Sequence, residues 1–420
     1  MKYCNRCLYP ENHPLNITFD DKGVCSGCRV HEEKDTLDWH GRSKKLKKIF
    51  DAYKSPSGKF HDCIIPVNGA RDSYFIVHTV KNIYGMNPLL VTYNKHYNTN
   101  LGIRNLAYLR TLLGCDILNF TVSPSTAKKI TRVTLREFAS IYWHCLAGET
   151  VFPVQTAVRF KIPLIVWGVH QGCDQVGMFS HLDEVEMTRK YRKEHDLMGH
   201  ESQDILKLDS SILNEGDTTP FEYPHDKELE KAGVRGIYLS NYIRWDSKKQ
   251  HEDMIKLYGY ETRAQHRTFD TYNDTDSFIY SDLHDYIKYL KHGYGKAVDH
   301  ASREIRLKRL TRDEGIALAS KYENIPPSPL GVSLFCEWLG ISEKDLWFFL
   351  EQKRNLKIWE KNSSGDWRIS DHIQNHKIEK DIKANALTKK ENCEFQITPS
   401  KNPLEQENKY VLVARGFRDR

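Results

Sequence analysis

The chain lacks the features that would send it to a membrane or out of the cell. No stretch approaches the roughly 20 consecutive apolar residues of a spanning helix, so no membrane role is expected. The first residues, MKYCNRC, lack the basic-then-apolar pattern of a secretory leader, which predicts a cytoplasmic protein. No Walker A text, G-x-x-x-x-G-K-[ST], occurs anywhere. Internal repeats and low-complexity runs are also missing. The basic excess is mild: 62 Lys and Arg against 56 Asp and Glu give a net charge of +6. Such a balance fits an anionic small substrate as readily as a nucleic acid. With 39% hydrophobic and 28% charged residues over 420, the composition is that of a soluble globular protein of two or three domains.

Cysteine is where the sequence is rich. Cys4 and Cys7 form CNRC, Cys25 and Cys28 form CSGC, and seventeen residues separate the pairs. Disulfides are not expected in a cytosolic chain. The spacing matches two knuckles closing on one tetrahedral zinc ion, with Gly27 relaxing the second turn. Between them, Leu15 to Phe19 alternates and Asp20 to Gly23 turns, which predicts a small β-ribbon within residues 1–34. So small a module cannot bury enough core by itself, so the zinc is expected to be structural. Four free buried thiols are the plain alternative.

Residues 35–60 are polar and lysine-rich and predict a linking helix with a solvated face. From His61 the text alternates between short apolar runs (CIIPV, PLLVTYN, DILNFTV, PLIVWGV) and helical stretches. That alternation predicts an α/β domain over 61–235 with a doubly wound parallel sheet. Ligands in such sheets bind beyond the carboxyl ends of the strands, so the loops after Val67, Thr92, Val122 and Gly168 are candidate sites. The first loop reads Asn68-Gly69-Ala70-Arg71-Asp72-Ser73 and opens a helix. The unpaired N–H groups of Arg71 to Tyr74 would face outward at the positive end of the helix dipole, an arrangement that binds anions. Gly69 would permit close backbone approach, Ser73 offers a hydroxyl, and Asp72 can brace the loop or reach Mg2+. A plain strand-to-helix turn fits the local text equally well.

Further along, SHLDEVEMTRKYRKEHDLMG at 180–199 reads either as a solvated helix or as a charged lid. Residues 236–325 turn aromatic and basic and predict a helical substrate-binding region. Residues 326–420 open with a Pro-rich linker, continue with two helical segments and end in a polar, partly disordered tail carrying a short strand, KYVLVA at 409–414.

The pieces together resemble a known family. A strand, N-G-A-R-D-S and a helix are similar to the pyrophosphate loop of the ATP pyrophosphatase (PP-loop) superfamily, whose usual text is S-G-G-x-D-S. With the double C-x-x-C, YWHCLAGE at 142–149, IPLIVWG at 162–168 and GYGKAVDHASREIRLKR at 293–309, roughly residues 1–325 resemble the N-acetyl sugar amidotransferases of bacterial surface-polysaccharide (LPS, O-antigen) biosynthesis. Asn68 and Ala70 depart from that pattern. An alanine would cost about 1 kcal/mol or more if the loop needs φ > 0 there.

The resemblance implies an adenine nucleotide alpha hydrolase-like fold and a ligase that converts an acetamido group to an acetamidino group. The acetamido oxygen of the sugar substrate attacks the α-phosphorus of ATP, pyrophosphate departs into the loop, and ammonia displaces AMP. Positioning and charge neutralisation by Arg71, Asp72 and Mg2+ would carry such a step. Residues 68–73 would hold phosphates, and Tyr93, Asn94, Trp167 and Gly168 the rest of ATP. His144 would shuttle a proton near neutral pH. Trp143 and Glu149 would contact the sugar, with Arg303 and Arg306 on one helix face for a diphosphate or uronate. Each also has a plain structural reading, as core, strand end or salt-bridged surface.

No glutaminase signature is present. Lys2 stands where an N-terminal cysteine nucleophile would, and QGCDQVG at 171–177 lacks the second glycine of a nucleophile elbow. The resemblance therefore implies a separate glutaminase with a barrel-type, synthase-like subunit as partner, docking on the N-terminal ribbon or the C-terminal half. No nucleic acid partner is expected. Two other readings stay open: a tRNA-thiolating PP-loop enzyme, which would need paired reactive cysteines, and a zinc-ribbon scaffold that has lost ATP binding.

Overall fold

The computed structural model describes residues 1–70, 72–376, 395, 397 and 398 and, for the backbone, 410–412. Its centre is a five-stranded, wholly parallel sheet. The chain runs through β1 (Cys63–Pro66), β2 (Pro88–Tyr93), a short β3 (Tyr97–Thr99), β4 (Asp116–Phe120), β5 (Leu164–Trp167) and β6 (Arg235–Tyr238). The order in the sheet is β4-β2-β1-β5-β6. Register pairs Ile64 with Leu89 on one side and with Ile165 on the other. Leu89 pairs with Asp116, and Ile165 with Gly236.

These strands are nearly continuous apolar runs because both faces of the sheet are covered. Alternation along each strand divides them between two cores. Cys63, Ile65, Leu90, Leu164, Val166 and Ile237 pack with Leu46, Phe50, Val77, Leu109 and Met254. Those partners come from helices Trp39–Tyr53, Ser73–Val77, Asn100–Leu113 and Ser247–Tyr258. Ile64, Leu89, Val91 and Ile165 instead pack with Val154 and Ala157 of helix Trp143–Phe160 on the opposite face.

Two parts of the sequence reading change. The α/β layer does not stop at 235, because Arg235–Tyr238 is its fifth strand and helix Ser247–Tyr258 covers it. The segment between the cysteine pairs is not a β-ribbon: it makes only the isolated bridges Tyr3↔Pro10 and Phe19↔Cys25, and the second knuckle opens helix Ser26–Glu33. Nor is that module exposed. Tyr3, Leu8, Tyr9 and Val24 join Val298, Ala301, Ile305 and Ile316 in a shared core.

Beyond the α/β layer lie helices Leu283–His292, Lys296–Arg306, Arg312–Glu323, Pro329–Leu339 and Glu343–Gln352, followed by a hairpin of β7 (Trp359–Lys361) and β8 (Trp367–Ile369). Phe335, Trp338, Leu346 and Leu350 pack with Tyr97, Tyr142 and Phe278, so this region shares a core with the sheet's upper loops. Part of the anticipated terminal strand is β9 (Tyr410–Leu412), antiparallel to β3. Most of the tail lies outside the described residues. Among those described, no helix is long and apolar enough to cross a membrane.

One close approach fixes the loop after β1. A Cβ built on Gly69 would stand 2.6 Å from the Gly102 carbonyl carbon and nearer still to its oxygen, at the start of helix Asn100–Leu113. Asn105 of that helix also donates to the Gly69 carbonyl at 3.1 Å. Gly69→Ala should therefore lower stability by about 1–3 kcal/mol through overpacking against rigid backbone. Urea denaturation measures it, and an unchanged midpoint would remove this role.

Candidate functional site

Strand order reverses between β1 and β5: the chain builds outward through β2 and β4, then returns to place β5 and β6 on the other flank. The crevice beyond the carboxyl ends at such a point is where open α/β sheets bind ligands. A cleft of about 790 Å³ opens there. Val67, Asn68, Asp72 and Ser73 line it after β1, Tyr93 at the end of β2, Trp167 and Gly168 after β5, and Tyr238 at the end of β6. That volume lies in the range of small-molecule sites.

The loop from Asn68 to Ser73 braces itself. The Asn68 side-chain carbonyl accepts from the Ala70 N–H at 3.0 Å, an Asx-type turn. Ser73 Oγ accepts from the Asn68 N–H at 3.1 Å and donates to the Ala70 carbonyl at 3.0 Å. The Asn68 side-chain carbonyl and the Ser73 hydroxyl are thus engaged within the loop. Ala70 is not in the left-handed region, so alanine carries none of the strain that a positive φ would impose. Arg71 lies outside the described residues.

Asp72, which precedes helix Ser73–Val77, faces groups that the sequence reading missed. Ser247 Oγ donates to Asp72 Oδ1 at 3.0 Å, and His251 Nδ1 lies 3.8 Å from the same oxygen. Both belong to helix Ser247–Tyr258, the element beyond the unrecognised fifth strand, so their i, i+4 spacing had no known neighbour to point at. Glu149 lines the cleft and pairs with buried Lys95 at 3.1 Å, which also reaches Asp276 at 2.9 Å.

Other expected site residues divide. Trp167 and Gly168 line the cleft, with Trp167 Nε1 donating to Met187 Sδ at 3.2 Å. Tyr93 lines it, whereas Asn94 does not and accepts from His96 and Asn98. Trp143 does not line it. Its ring is core and its Nε1 donates to the His200 carbonyl at 2.8 Å. His144 lies beneath the cleft wall, with Nδ1 3.1 Å from the Tyr93 hydroxyl. Burial, with His96 nearby, drives its pKa well below the ordinary histidine value, so it stays neutral instead of titrating near pH 7. The segment 180–199 is neither a solvated helix nor a free lid: Glu184 meets Lys45, Glu186 meets Arg235, and Arg189 and Arg192 meet Glu201. Tyr191, Arg192 and Asp196 form part of the wall. Cys63, Cys145 and Cys173 are separately buried, and burial pushes their thiol pKa up, Cys173 to about 12. They are poor sources of the thiolate that sulfur transfer needs.

The four N-terminal cysteines converge. All are buried, and their sulfurs lie within 4.8 Å of one another. Cys4 and Cys28 are 4.0 Å apart and Cys7 and Cys25 are 3.5 Å apart, bracketing the about 3.8 Å expected between sulfurs on a tetrahedral zinc. Backbone N–H groups of Arg6, Cys7 and Cys25 point at Cys4 Sγ. Arg306 is the residue that differs most from expectation. Its guanidinium reaches Cys7 Sγ at 3.8 Å and Cys25 Sγ at 3.6 Å and donates to the Asp174 and Gln175 carbonyls. Its charge is committed to the cysteines and the backbone rather than to a substrate. Gly27 serves this contact, since a Cβ there would strike the Arg306 guanidinium and stand 2.5 Å from the Gln175 oxygen; it does not relax a turn. Arg303 lines the cleft but is paired with Asp270 at 2.6 Å and Glu304 at 2.7 Å.

Residues 266–374 match the family model described as LPS biosynthesis protein WbpG-like, C-terminal domain. The uncharacterized protein MJ1599 of Methanocaldococcus jannaschii is similar, with 26% identity over 150 residues that cover 32% of this chain and 52% of the relative. The match thus spans about half the length of that relative. The family-model match supports a protein of LPS or related glycan biosynthesis. The matched region supplies Arg306 to the cysteine cluster. Replacing Cys25 and Cys28 by serine should accordingly reduce bound zinc from one per chain to near zero and lower the melting temperature, because metal binding here is coupled to folding. Metal analysis with a thermal melt measures both. Undiminished zinc would sink the assignment.

Proposed function

We propose that this chain is an ATP-dependent amidotransferase that converts the acetamido group of a sugar to an acetamidino group during surface-glycan synthesis. The observation that carries this reading is that a single cleft is lined both by the loop after β1 and by Asn273, Lys296 and Arg303 of the region matched to LPS biosynthesis. ATP and sugar would then share one site.

An amide carbonyl is a poor electrophile, and its oxygen a poor leaving group. Attack of that oxygen on the α-phosphorus forms a C–O–P bond and releases pyrophosphate. Ammonia then adds to the activated carbon, and the original amide oxygen leaves as part of AMP. No nucleophilic side chain is required, which agrees with the buried, protonated state of Cys63, Cys145 and Cys173. Mg2+, when bound, would supply charge neutralisation at the phosphates, and Asp72 is the carboxylate that would hold it. Because the Ser73 hydroxyl and the Asn68 carbonyl are bonded within the loop, phosphate contacts would fall to backbone N–H groups, the Asn68 amide and Arg71. Tyr93, Trp167 and Gly168 offer the wall for the nucleoside. The zinc serves structure. Ammonia would come from a partner glutaminase and its barrel-type subunit.

The assay incubates the zinc-loaded full chain with Mg-ATP, a panel of acetamido sugars and sugar nucleotides, and ammonium chloride or glutamine. Amidine, AMP and pyrophosphate should form in equal amounts with ammonium but not with glutamine. Asp72→Ala should lower the rate by about 100-fold or more, the scale of losing one preorganised electrostatic group. Asn68→Ser with Ala70→Gly should preserve it. Normal turnover by Asp72→Ala, or turnover driven by glutamine, would overturn this function.

A further inference from the structure

The cleft lies at the carboxyl end of the sheet. The opposite, amino end carries a pattern that neither the cleft nor the cysteine cluster uses. Helices that join parallel strands run back against them, so their last turns gather at this end. Phe60 stands just before β1, Ile83 before β2 and Leu112 before β4, and Leu257 lies in the last turn of helix Ser247–Tyr258. All four are exposed, at 71%, 62%, 49% and 58% respectively.

Contacts draw these ends together around the turn that leads into β2. Asn87 in that turn donates to the Phe60 carbonyl at 3.5 Å, and Lys54 Nζ lies 3.4 Å from where a Cβ on Gly85 would stand. Lys81, in the helical segment that ends at Ile83, donates to the Gly114 carbonyl just past Leu112. Its neighbour Asn82 donates at 2.9 Å to the hydroxyl of Tyr258, the residue after Leu257.

Exposed cations stand beside the exposed apolar groups. Lys59 precedes Phe60, Lys256 precedes Leu257, Arg110 is two residues before Leu112, and Lys54 meets the turn that follows Ile83. None of the four has an ion pair among the described residues. The acids nearby are committed: Asp51 pairs with Lys47 at 2.7 Å, Asp116 pairs with His61 at 3.1 Å, and buried Asp62 accepts from the Ser55 and Asn87 N–H groups. Asp253, one turn before Leu257, is half-buried. On the other face of the sheet, the end of helix Trp143–Phe160 repeats the pairing as Arg159-Phe160-Lys161, with Phe160 57% exposed. A cation at a helix end complements the helix dipole. That accounts for Lys54, Arg110 and Lys256, but not for Lys59 or for the bulky apolar side chain near each cation.

The mixture of groups selects the occupant. A second copy of the chain would set these cations against one another, and like-charge juxtaposition is costly. Protein interfaces are depleted in lysine. The backbone of a nucleic acid would take the cations but has no use for Ile83, Leu112 and Leu257. A bilayer with anionic headgroups uses both kinds of group: lysine and arginine meet the headgroup charge, and bulky apolar side chains enter the boundary beneath it.

We propose that the amino end of the sheet is a docking face for an anionic lipid bilayer, with Lys54, Lys59, Arg110 and Lys256 at the headgroups and Phe60, Ile83, Leu112 and Leu257 entering between them. The chain would rest on the bilayer without crossing it, for no described helix is long and apolar enough to span. The absence of a spanning segment, from which no membrane role is expected, does not bear on adsorption of this kind. Docked this way, the cleft at the carboxyl end faces away from the lipid and stays open to solutes.

Flotation of the zinc-loaded full chain with vesicles tests the face, using phosphatidylcholine alone and equal parts of phosphatidylcholine and phosphatidylglycerol. The chain should float with the anionic vesicles, stay behind with the neutral ones and be released by high salt. Lys54→Glu with Lys59→Glu should weaken binding to anionic vesicles by about tenfold or more. Phe60→Ser with Ile83→Ser should weaken it by about fivefold. Both double variants should keep the wild-type melting temperature, because the side chains they change are exposed. Lys249→Glu, exposed at the opposite end of helix Ser247–Tyr258, should leave binding near wild type. No flotation with anionic vesicles, equal flotation with neutral ones, or unchanged flotation of either double variant would overturn the docking face. So would an oligonucleotide, by mobility shift, or a second copy of the chain, by light scattering, held through these residues in place of vesicles.

Discussion

A single guanidinium ties the molecule together around its cleft. Arg306 is buried, and its partners come from two places: two cysteine sulfurs of the N-terminal module and two backbone carbonyls at the end of the short helix that follows β5. A buried cation is costly unless its hydrogen bonds and counter-charges are supplied. With zinc bound, four thiolates around a dication leave a net negative charge that the guanidinium offsets. The same junction carries Ser26 Oγ donating to the Val176 carbonyl at 2.6 Å, the ion pair of Lys34 with Asp174, and Glu33 accepting from the His181 N–H at 2.8 Å. Helix Ser26–Glu33, which begins at the second knuckle, is thus fastened to the segment that continues from Gly168. The cysteine cluster stands outside the cleft yet decides where one of its walls lies, for His31, Lys34, Asp174 and Gln175 all line it.

A second constraint acts from the sheet. Parallel pairing directs the ends of β1, β5 and β6 to one edge, and the Gly69–Gly102 contact sets how near the first loop lies to helix Asn100–Leu113. Within that frame the loop text can vary. Asn68 replaces a hydroxyl with an amide, and its carbonyl closes an Asx-type turn on Ala70. The backbone there stays out of the left-handed region, so the second glycine of the usual pattern is dispensable to the shape.

The parts of the fold legible in the sequence were those written in local text. Four apolar runs alternating with helical periods announced a parallel sheet, and two C-x-x-C pairs announced a metal site. What escaped depended on distant partners. The fifth strand, Arg235–Tyr238, opens on an arginine and carries a glycine, so it shows no apolar run like those of β1 and β5. Gly27 looked like a turn residue because the guanidinium that needs its missing Cβ belongs to Arg306; Cys7, beside it in the cluster, is separated from that arginine by 299 residues. Trp143 and His144 were chosen by likeness to a family text. Their burial follows from neighbours, His200 for one and Tyr93 for the other, that no local pattern names. His13 and Tyr294 went unremarked for the same reason, being brought together only when the N-terminal module folds onto the C-terminal helices.

The electrostatics of the cleft limit how a polyanion can enter it. Among the described lining residues, six lysines and arginines face eight aspartates and glutamates. Of the cations, Arg306 is held by the cysteines, Lys34 by Asp174, Lys288 by Asp299, Lys296 by Asp274, and Arg303 by Asp270 and Glu304. A triphosphate therefore gains little from side-chain charge in this set. Its attraction has to come from oriented backbone N–H groups and from a divalent cation carried in with it. On the proposed reading, the phosphate end of the cleft would be governed by a divalent cation and the backbone rather than by fixed side-chain charge.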